Sequence, residues 1–155
     1  MSLTLLQQCI LEEEKLQFDH FSHQDAFDLG MKLIKYGSMQ AAPVAIEIAL
    51  NDLIVFRYFA DGTNLYNEMW LKWKRNMVYT RHMSSLHAFA EMEETGETLE
   101  DWRLDPKDFA AFGGGFPIRI KGSGLVGFIG VSGLPHLKDH EVIISALKDY
   151  LNVTL

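Results

Sequence analysis

Residues 112–136 read FGGGFPIRIKGSGLVGFIGVSGLPH and contain eight of the twelve glycines of the chain. Glycine is used where the backbone must take a positive φ or where another group must come close. Two runs rich in branched and aromatic residues, 116–120 and 125–132, flank the turn Lys121-Gly-Ser-Gly124. The stretch therefore predicts a β-hairpin whose glycines allow close packing.

A second hairpin is predicted upstream. Residues 44–50 and 53–59 are rich in β-branched and aromatic side chains, and Asn51-Asp52 supplies the turn between them. Two hairpins in one short chain indicate an antiparallel sheet, because consecutive strands joined by tight turns run in opposite directions.

Helical spacing predicts the remaining elements. Apolar residues recur every three or four positions in residues 2–16, 23–36 and 64–90, and again after Asp139. Ser22 followed by Asp25 resembles a capping box at the start of the second helix. The predicted order is α-α-β-β-α-α-β-β-α, with residues 64–90 forming one long helix or two consecutive ones.

In residues 64–90 the predicted core stripe consists of Leu65, Met69, Trp73, Met77 and Thr80. The acidic segment 91–108 follows, and it is predicted to be an exposed connection with a short helical piece. Helices that cover an antiparallel sheet define an α+β fold.

The composition is that of one globular domain spanning residues 1–155, with 48% hydrophobic and 12% aromatic residues. The formal net charge of −7 argues against nucleic acid or an anionic membrane as a partner, since both require a basic surface. No apolar run approaches the roughly 20 residues of a membrane-spanning helix. The single cysteine, Cys9, excludes an intrachain disulfide, fits a cytoplasmic location and is predicted to be a small buried apolar residue.

Several motifs fail tests of their context. The G-x-G-x-x-G pattern at 122–127 lies between two strands, whereas a dinucleotide site requires it between a strand and a helix. His136 and His140 have metal-ligand spacing, but no third ligand is evident, so no metal site is expected. Ser84-Ser85 lacks the nucleophile elbow of hydrolases, so no catalytic residues are assigned.

The triple glycine at 113–115 has two interpretations. Its amides can converge on an anion, with Arg119 and Lys121 nearby in the sequence, or it can be a flexible segment leading into the hairpin. The residues alone leave both open.

Taken together, the sequence blocks resemble an uncharacterised family of the haem-degrading-domain superfamily, which also contains haem-binding extracellular sensor proteins (GlcG/HbpS-like). The blocks that carry the resemblance are Trp70-x-x-x-Lys74-Arg75-Asn76, Ser84-Ser85, Gly113-Gly-Gly-Phe-Pro117, Val126-Gly127, Val131-Ser-Gly-Leu-Pro135 and Asp139-His140. The resemblance implies a profilin-like α/β/α fold of three layers with a five-stranded antiparallel sheet. Four strands are plain in the sequence, and the fifth is expected near residues 109–112. It also implies a homo-oligomer and a site for haem or a related small ligand.

These observations lead to the hypothesis of a binding module rather than an enzyme. Its site is expected around residues 113–119 and 132–140. The candidate ligand-binding residues are Lys74, Gly113, Gly114, Gly115, Arg119, Ser132 and His140. Two alternatives stay open: an oligomeric scaffold or adaptor without small-molecule chemistry, and an enzyme that uses Lys74, Arg119 or His140 on a small anionic substrate.

Overall fold

The computed structural model describes residues 2–155, and these form five helices and a four-stranded sheet. In chain order the elements are α1 (Leu5–Lys15), α2 (His23–Ser38), β1 (Ala45–Leu50), β2 (Leu53–Phe59), α3 (Leu65–Arg81), α4 (Ser85–Thr95), β3 (Gly115–Ile120), β4 (Gly124–Ser132) and α5 (His136–Leu151). The predicted order of elements is confirmed.

The sheet has the order β2-β1-β4-β3, and all neighbouring strands are antiparallel. The two predicted hairpins therefore lie side by side, joined through β1 and β4. Glu47 of β1 stands opposite Gly130 of β4, which in turn stands opposite Gly115 of β3. This register aligns the start of the glycine-rich hairpin with the centre of the sheet.

The two faces of the sheet follow the two-residue period of a strand. Ile46, Ile48, Ile129 and Val131 pack in the main core with residues of α2 and α5. The alternate positions face α3, where Ala49 and Phe128 pack against Val78. The molecule thus has three layers, with α3 on one face and α2 and α5 on the other.

The expected fifth strand at residues 109–112 is absent, and this part of the prediction is wrong. Within this segment the Ala110 N–H donates to Trp73 O of α3 and the Phe109 N–H donates to Asp105 O, and just before it Asn76 Nδ2 of α3 donates to Asp108 O. At the free edge of β3, a single residue, Phe18, forms a parallel bridge with Ile120. The described sheet has four strands because residues 109–112 gain their hydrogen bonds elsewhere.

Of the two predicted arrangements for residues 64–90, two consecutive helices is the one found, because His82 takes a left-handed conformation with φ 55° between α3 and α4. Two helix boundaries differ from the predictions. The helix α4 runs on to Thr95, into the segment predicted to be an exposed connection. The last helix begins at His136 rather than at Asp139. The Asp139 side chain lies in the first turn of this helix and accepts a hydrogen bond from the Leu134 N–H, in the loop just before the helix. The Ser22–Asp25 capping box is confirmed.

The predicted core stripe of α3 is only partly right. Met77 is buried as predicted, but Leu65 and Met69 are exposed, and the rest of the buried face consists of Leu71, Lys74 and Val78. The buried Lys74 interrupts the apolar spacing on the true core-facing side of the helix. The apolar pattern therefore indicated a neighbouring face as the one that packs in the core. Gly130 of β4 permits this packing, because a Cβ there would lie 2.8 Å from Leu71 Cδ2.

Among residues 2–155, no helix combines the length and the apolar character that a membrane crossing requires.

Candidate functional site: a cavity beside a buried ion pair

A cavity of about 430 Å³ opens where the first half of α3, the loop after β4 and the start of α5 meet. Ser132, at the end of β4, and the loop residues 133–134 belong to the range 132–140 where the ligand site was expected. Polar and aromatic side chains share the lining, which consists of Tyr66, Asn67, Trp70, Lys74, Phe112, Ser132, Gly133, Leu134, His136 and Asp139.

Lys74 and Asp139 form a buried ion pair in the wall of this cavity. Lys74 Nζ donates to Asp139 Oδ2 over 3.1 Å and to the Val131 carbonyl over 2.9 Å. Each side chain is only 3% exposed. An ammonium group has three donors, so one N–H of Lys74 remains beyond these two bonds. This is the donor that a ligand in the cavity can use.

Burial favours the neutral form of both Lys74 and Asp139. Burial lowers the pKa of Lys74, and the charge of Asp139 opposes this shift. Burial raises the pKa of Asp139 to about 6, against the effects of Lys74 and of the Leu134 amide. Desolvation thus disfavours the charge on each member, and the opposite charge of the partner favours it.

The triple glycine lets the backbone pass close to this pair. Gly114 has φ 118°, and a Cβ there would lie 2.5 Å from Lys74 Nζ and 2.4 Å from Val131 O. The Gly113 N–H donates to His136 Nδ1 and the Gly115 N–H to Ser85 Oγ, each over 2.9 Å. Both amides are thus bound within the protein. The segment packs against Lys74 and His136 and does not present these two amides to an anion.

His136 is presented to the cavity as a hydrogen-bond donor. Its pKa is lowered by burial, by the charge of Lys74 and by His140, so the ring is neutral at pH 7. Because Nδ1 accepts the Gly113 amide proton, the ring proton of the neutral form resides on Nε2. His136 also makes edge contacts with the rings of Phe89 and Phe112, at centroid distances of 4.7 and 5.3 Å. These contacts hold the imidazole in place.

Aromatic side chains form the other wall. Trp70 lies 5.9 Å from Phe112 and 6.1 Å from Tyr66, centroid to centroid. Trp70 and Phe112 also border a second cavity of about 530 Å³, which is lined mainly by apolar residues of α4 and of the segment after it. The two cavities are therefore neighbours that share an aromatic boundary.

The predicted site residues fall into two groups in the structure. Lys74 and Ser132 line the cavity, and Gly113–Gly115 contact Lys74 or His136. Arg119 and His140 lie elsewhere, beneath α1, where Arg119 pairs with Glu13 and His140 with Glu12. The predicted set is thus divided between the cavity and a second buried cluster.

The cavity residues Tyr66, Trp70 and Phe112 lie outside the ranges where the site was expected. His136 and Asp139 lie within the expected range 132–140 but were not among the candidate residues. Trp70 and Asp139 belong to the blocks that carry the family resemblance, which was the available signal. His136 was expected just before the helix, but it is the first residue of α5 and directs its ring at the triple glycine.

Comparison with known families identifies the chain. The family model described as haem degrading protein HbpS-like matches residues 21–148. The chain belongs to this HbpS-like family. Curated relatives agree: the UPF0303 protein YE1367 of Yersinia enterocolitica is 36% identical over 149 residues, covering 96% of this chain and 89% of the relative. The UPF0303 protein YPTB2566 of Yersinia pseudotuberculosis is 37% identical over 147 residues, covering 94% and 85%.

Solved structures share the fold of this HbpS-like chain. The crystal structure of the Ybr137w protein superposes with a TM-score of 0.83 at 27% identity, covering 95% of this chain and 87% of that one. A crystal structure of a PduOC–heme complex gives 0.70 at 18% identity, with coverages of 86% and 96%. HbpS gives 0.65 at 19% identity, with 87% and 92%. These likenesses support the mixed α/β fold.

Proposed function

We propose that this HbpS-like protein binds a small amphipathic ligand with an acidic group and a flat apolar body, and that haem is a ligand of this class. The observation that carries the proposal is the division of the cavity into a donor wall and an aromatic wall. Lys74 and His136 supply N–H donors, and Trp70 and Phe112 supply ring surfaces. The cavity volume of about 430 Å³ falls within the range of small-molecule sites.

The donor wall suits a carboxylate. Lys74 has one donor beyond its bonds to Asp139 and Val131, and neutral His136 has its Nε2–H. Asn67 Nδ2 lies 3.4 Å from Ser132 Oγ and adds an amide at the same wall. Hydrogen bonds to an ionised acceptor are about twice as strong as neutral ones, so an acidic group is favoured at this position.

The aromatic wall suits a planar ring system. Phe112 is 42% exposed, and it stands between the first cavity and the larger apolar one. A flat ligand can stack against Trp70 or Phe112 and gain the free energy of ring contacts in addition to apolar burial. A ring system wider than the first cavity extends towards the second.

For haem, the residues fit the porphyrin ring and its carboxylates. Bound haem would supply a redox-active iron. His136 is unsuited to bind that iron through Nε2, because this nitrogen carries the proton while Nδ1 accepts the Gly113 amide. We therefore expect recognition through the ring and the acidic groups, with His136 donating to the ligand.

A porphyrin titration tests the proposal. Hemin and metal-free protoporphyrin are each added to the wild-type protein, and both are expected to bind saturably with similar affinities. Phe112→Ala should weaken binding about tenfold, since aromatic contacts contribute roughly 1 kcal/mol beyond area burial. Phe27→Ala is the matched control, because Phe27 is a similarly exposed aromatic residue on α2, outside the cavity. Equal affinities of the two variants, or a wild-type titration like that of an unrelated acidic protein, would contradict the proposal.

We also propose that the protein is a homo-oligomer. Leu53, Ile54 and Tyr58 expose apolar surface on β2, which is an edge strand of the sheet. Exposed apolar residues on an edge strand are typical of a surface that pairs with another chain. Light scattering coupled to gel filtration measures the mass directly, and a monomer at micromolar concentration would contradict this proposal. A large assembly that retains no ligand in native mass spectrometry would favour the scaffold alternative.

A further inference from the structure

The second buried cluster lies where α1 packs beside the first turns of α5. Cys9 and Glu12 are three residues apart on α1 and share one helix face. His140, on the second turn of α5, meets them there. The three side chains are almost wholly buried, with exposed fractions of 0%, 6% and 4%. One potential metal-ligand atom from each lies within 4.8 Å of the others.

One ring nitrogen of His140 has no hydrogen-bond partner among the described residues. Its Nε2 lies 2.7 Å from Glu12 Oε1, whereas its Nδ1 is buried and has no hydrogen-bond partner among residues 2–155. A buried polar atom without a partner is destabilising, because it has lost its hydrogen bonds to water. The ring nitrogens are therefore not fully used by the protein itself.

The neighbouring carboxylate, Glu13, is fully committed to other groups. It accepts from the Ser84 N–H over 3.0 Å, lies 2.9 Å from His87 Nδ1 and pairs with Arg119 at 3.5 Å. Glu12, in contrast, forms side-chain hydrogen bonds only with His140 and Gln8 among the described residues. The two adjacent acids thus differ in their freedom to bind an added cation.

We propose that Cys9, Glu12 and His140 form a buried binding site for a divalent transition-metal ion of the zinc class. A thiolate sulfur, an imidazole nitrogen and a carboxylate oxygen are the three ligand types that Zn²⁺ accepts in proteins. Atoms within 4.8 Å of one another can surround one ion at the usual bond lengths of about 2.0–2.3 Å after small side-chain adjustments. The site is separate from the cavity and independent of the proposed ligand.

The charges balance when the ion binds. Binding replaces the proton of the Cys9 thiol with the metal, and the proton leaves to solvent. The thiolate and the Glu12 carboxylate then offset the two charges of the ion, and His140 binds through an unprotonated ring nitrogen. Two ligands belong to α1 and the third to α5, so the ion ties the first helix to the last.

A cobalt titration tests the site. The full chain is freed of metal with a chelator and titrated with Co²⁺, whose bond to sulfur gives a thiolate-to-metal charge-transfer band. We expect one ion per chain, an intense band, and loss of the band when Zn²⁺ is added. Cys9→Ala should abolish the band and lower the affinity more than about 100-fold, since even loss of outer-shell partners costs 10–100-fold. Cys9 packs as a small apolar residue, so alanine preserves most of the local packing.

Glu13→Gln is the matched control, because Glu13 adjoins Glu12, is equally buried and lies outside the triad. Glutamine keeps an acceptor for the Ser84 amide. This variant should retain the cobalt band, and Glu12→Gln should weaken it. A wild-type protein that gives no sulfur band overturns the proposal whatever the variants do, as does a band that persists in Cys9→Ala. Hemin binding is measured in Cys9→Ala in parallel, and it should be unchanged because Cys9 is outside the cavity.

Discussion

Lys74 and Asp139 connect the middle of α3 to the first turn of α5 through a 3.1 Å ion pair that is almost closed to solvent. The pair also holds the loop after β4, because Lys74 donates to Val131 O and Asp139 accepts from the Leu134 N–H. A single buried contact thus fixes three segments that line the cavity. Its removal is expected to affect both stability and the shape of the site.

Removing one member of this pair should strongly destabilise the protein. Lys74→Met leaves a buried carboxyl without its partner, and such losses cost about 3–5 kcal/mol. The double variant Lys74→Met/Asp139→Leu should be more stable than Lys74→Met, because it buries no unpaired charge. Urea denaturation measures the free energy of unfolding for both. Equal stability of Lys74→Met and the wild type would contradict the assigned pair.

Gly114 should tolerate alanine far less well than Gly124. Both have φ 118°, so backbone strain is matched, but only at Gly114 would the Cβ meet other atoms within 4 Å. Those atoms are Val131 O and Lys74 Nζ, and overpacking of this kind costs about 1–3 kcal/mol. We expect the free energy of unfolding of Gly114→Ala to be lower than that of Gly124→Ala by this amount. The Gly114→Ala protein should therefore unfold at a lower urea concentration. Similar midpoints would show that the loop does not press against the ion pair.

The Asp139 carboxyl should titrate near pH 6 instead of near its ordinary value of 3.8. Since the folded protein retains the proton up to about pH 6 and the unfolded chain loses it near 3.8, this group's contribution to stability falls as pH rises through that window. Carbon-13 NMR of the labelled carboxyl measures the inflection. Lys74→Met should move the inflection upward, because the lysine charge lowers this pKa.

The hydrogen bond from Gly113 predicts which ring nitrogen of His136 carries the proton. At neutral pH the proton should reside on Nε2, because Nδ1 accepts from the Gly113 amide. Long-range proton–nitrogen correlation spectra distinguish the two tautomers by their nitrogen shifts. A protonated Nδ1 would contradict the geometry and would free Nε2 to bind a metal in the cavity.

Much of the fold follows from local pattern. The two hairpins were predictable from Asn51-Asp52 and Lys121–Gly124, since turn chemistry and β-branched runs are properties of adjacent residues. The start of α2 followed from its capping box for the same reason. The fifth strand was not predictable in this way, because residues 109–112 are held by contacts with α3 that only the folded chain creates.

The candidate site, too, was predictable from the sequence only in part. Sequence blocks singled out Lys74, Ser132 and the triple glycine, which tertiary structure gathers at one cavity. The burial of Lys74 was not predictable from its helix, since a lysine is expected to face water unless an acid 65 residues away neutralises it in the core. The proposed metal site also combines residues that are remote in the chain. Its hydrogen-bonded pair, Glu12 and His140, is separated by 128 residues. Local residue patterns alone determined the elements and their order, because turns, caps and periodicity act between neighbours. Only the tertiary structure decided which charges are buried together and which ligand atoms meet, because burial and pairing arise between residues that are remote in the chain.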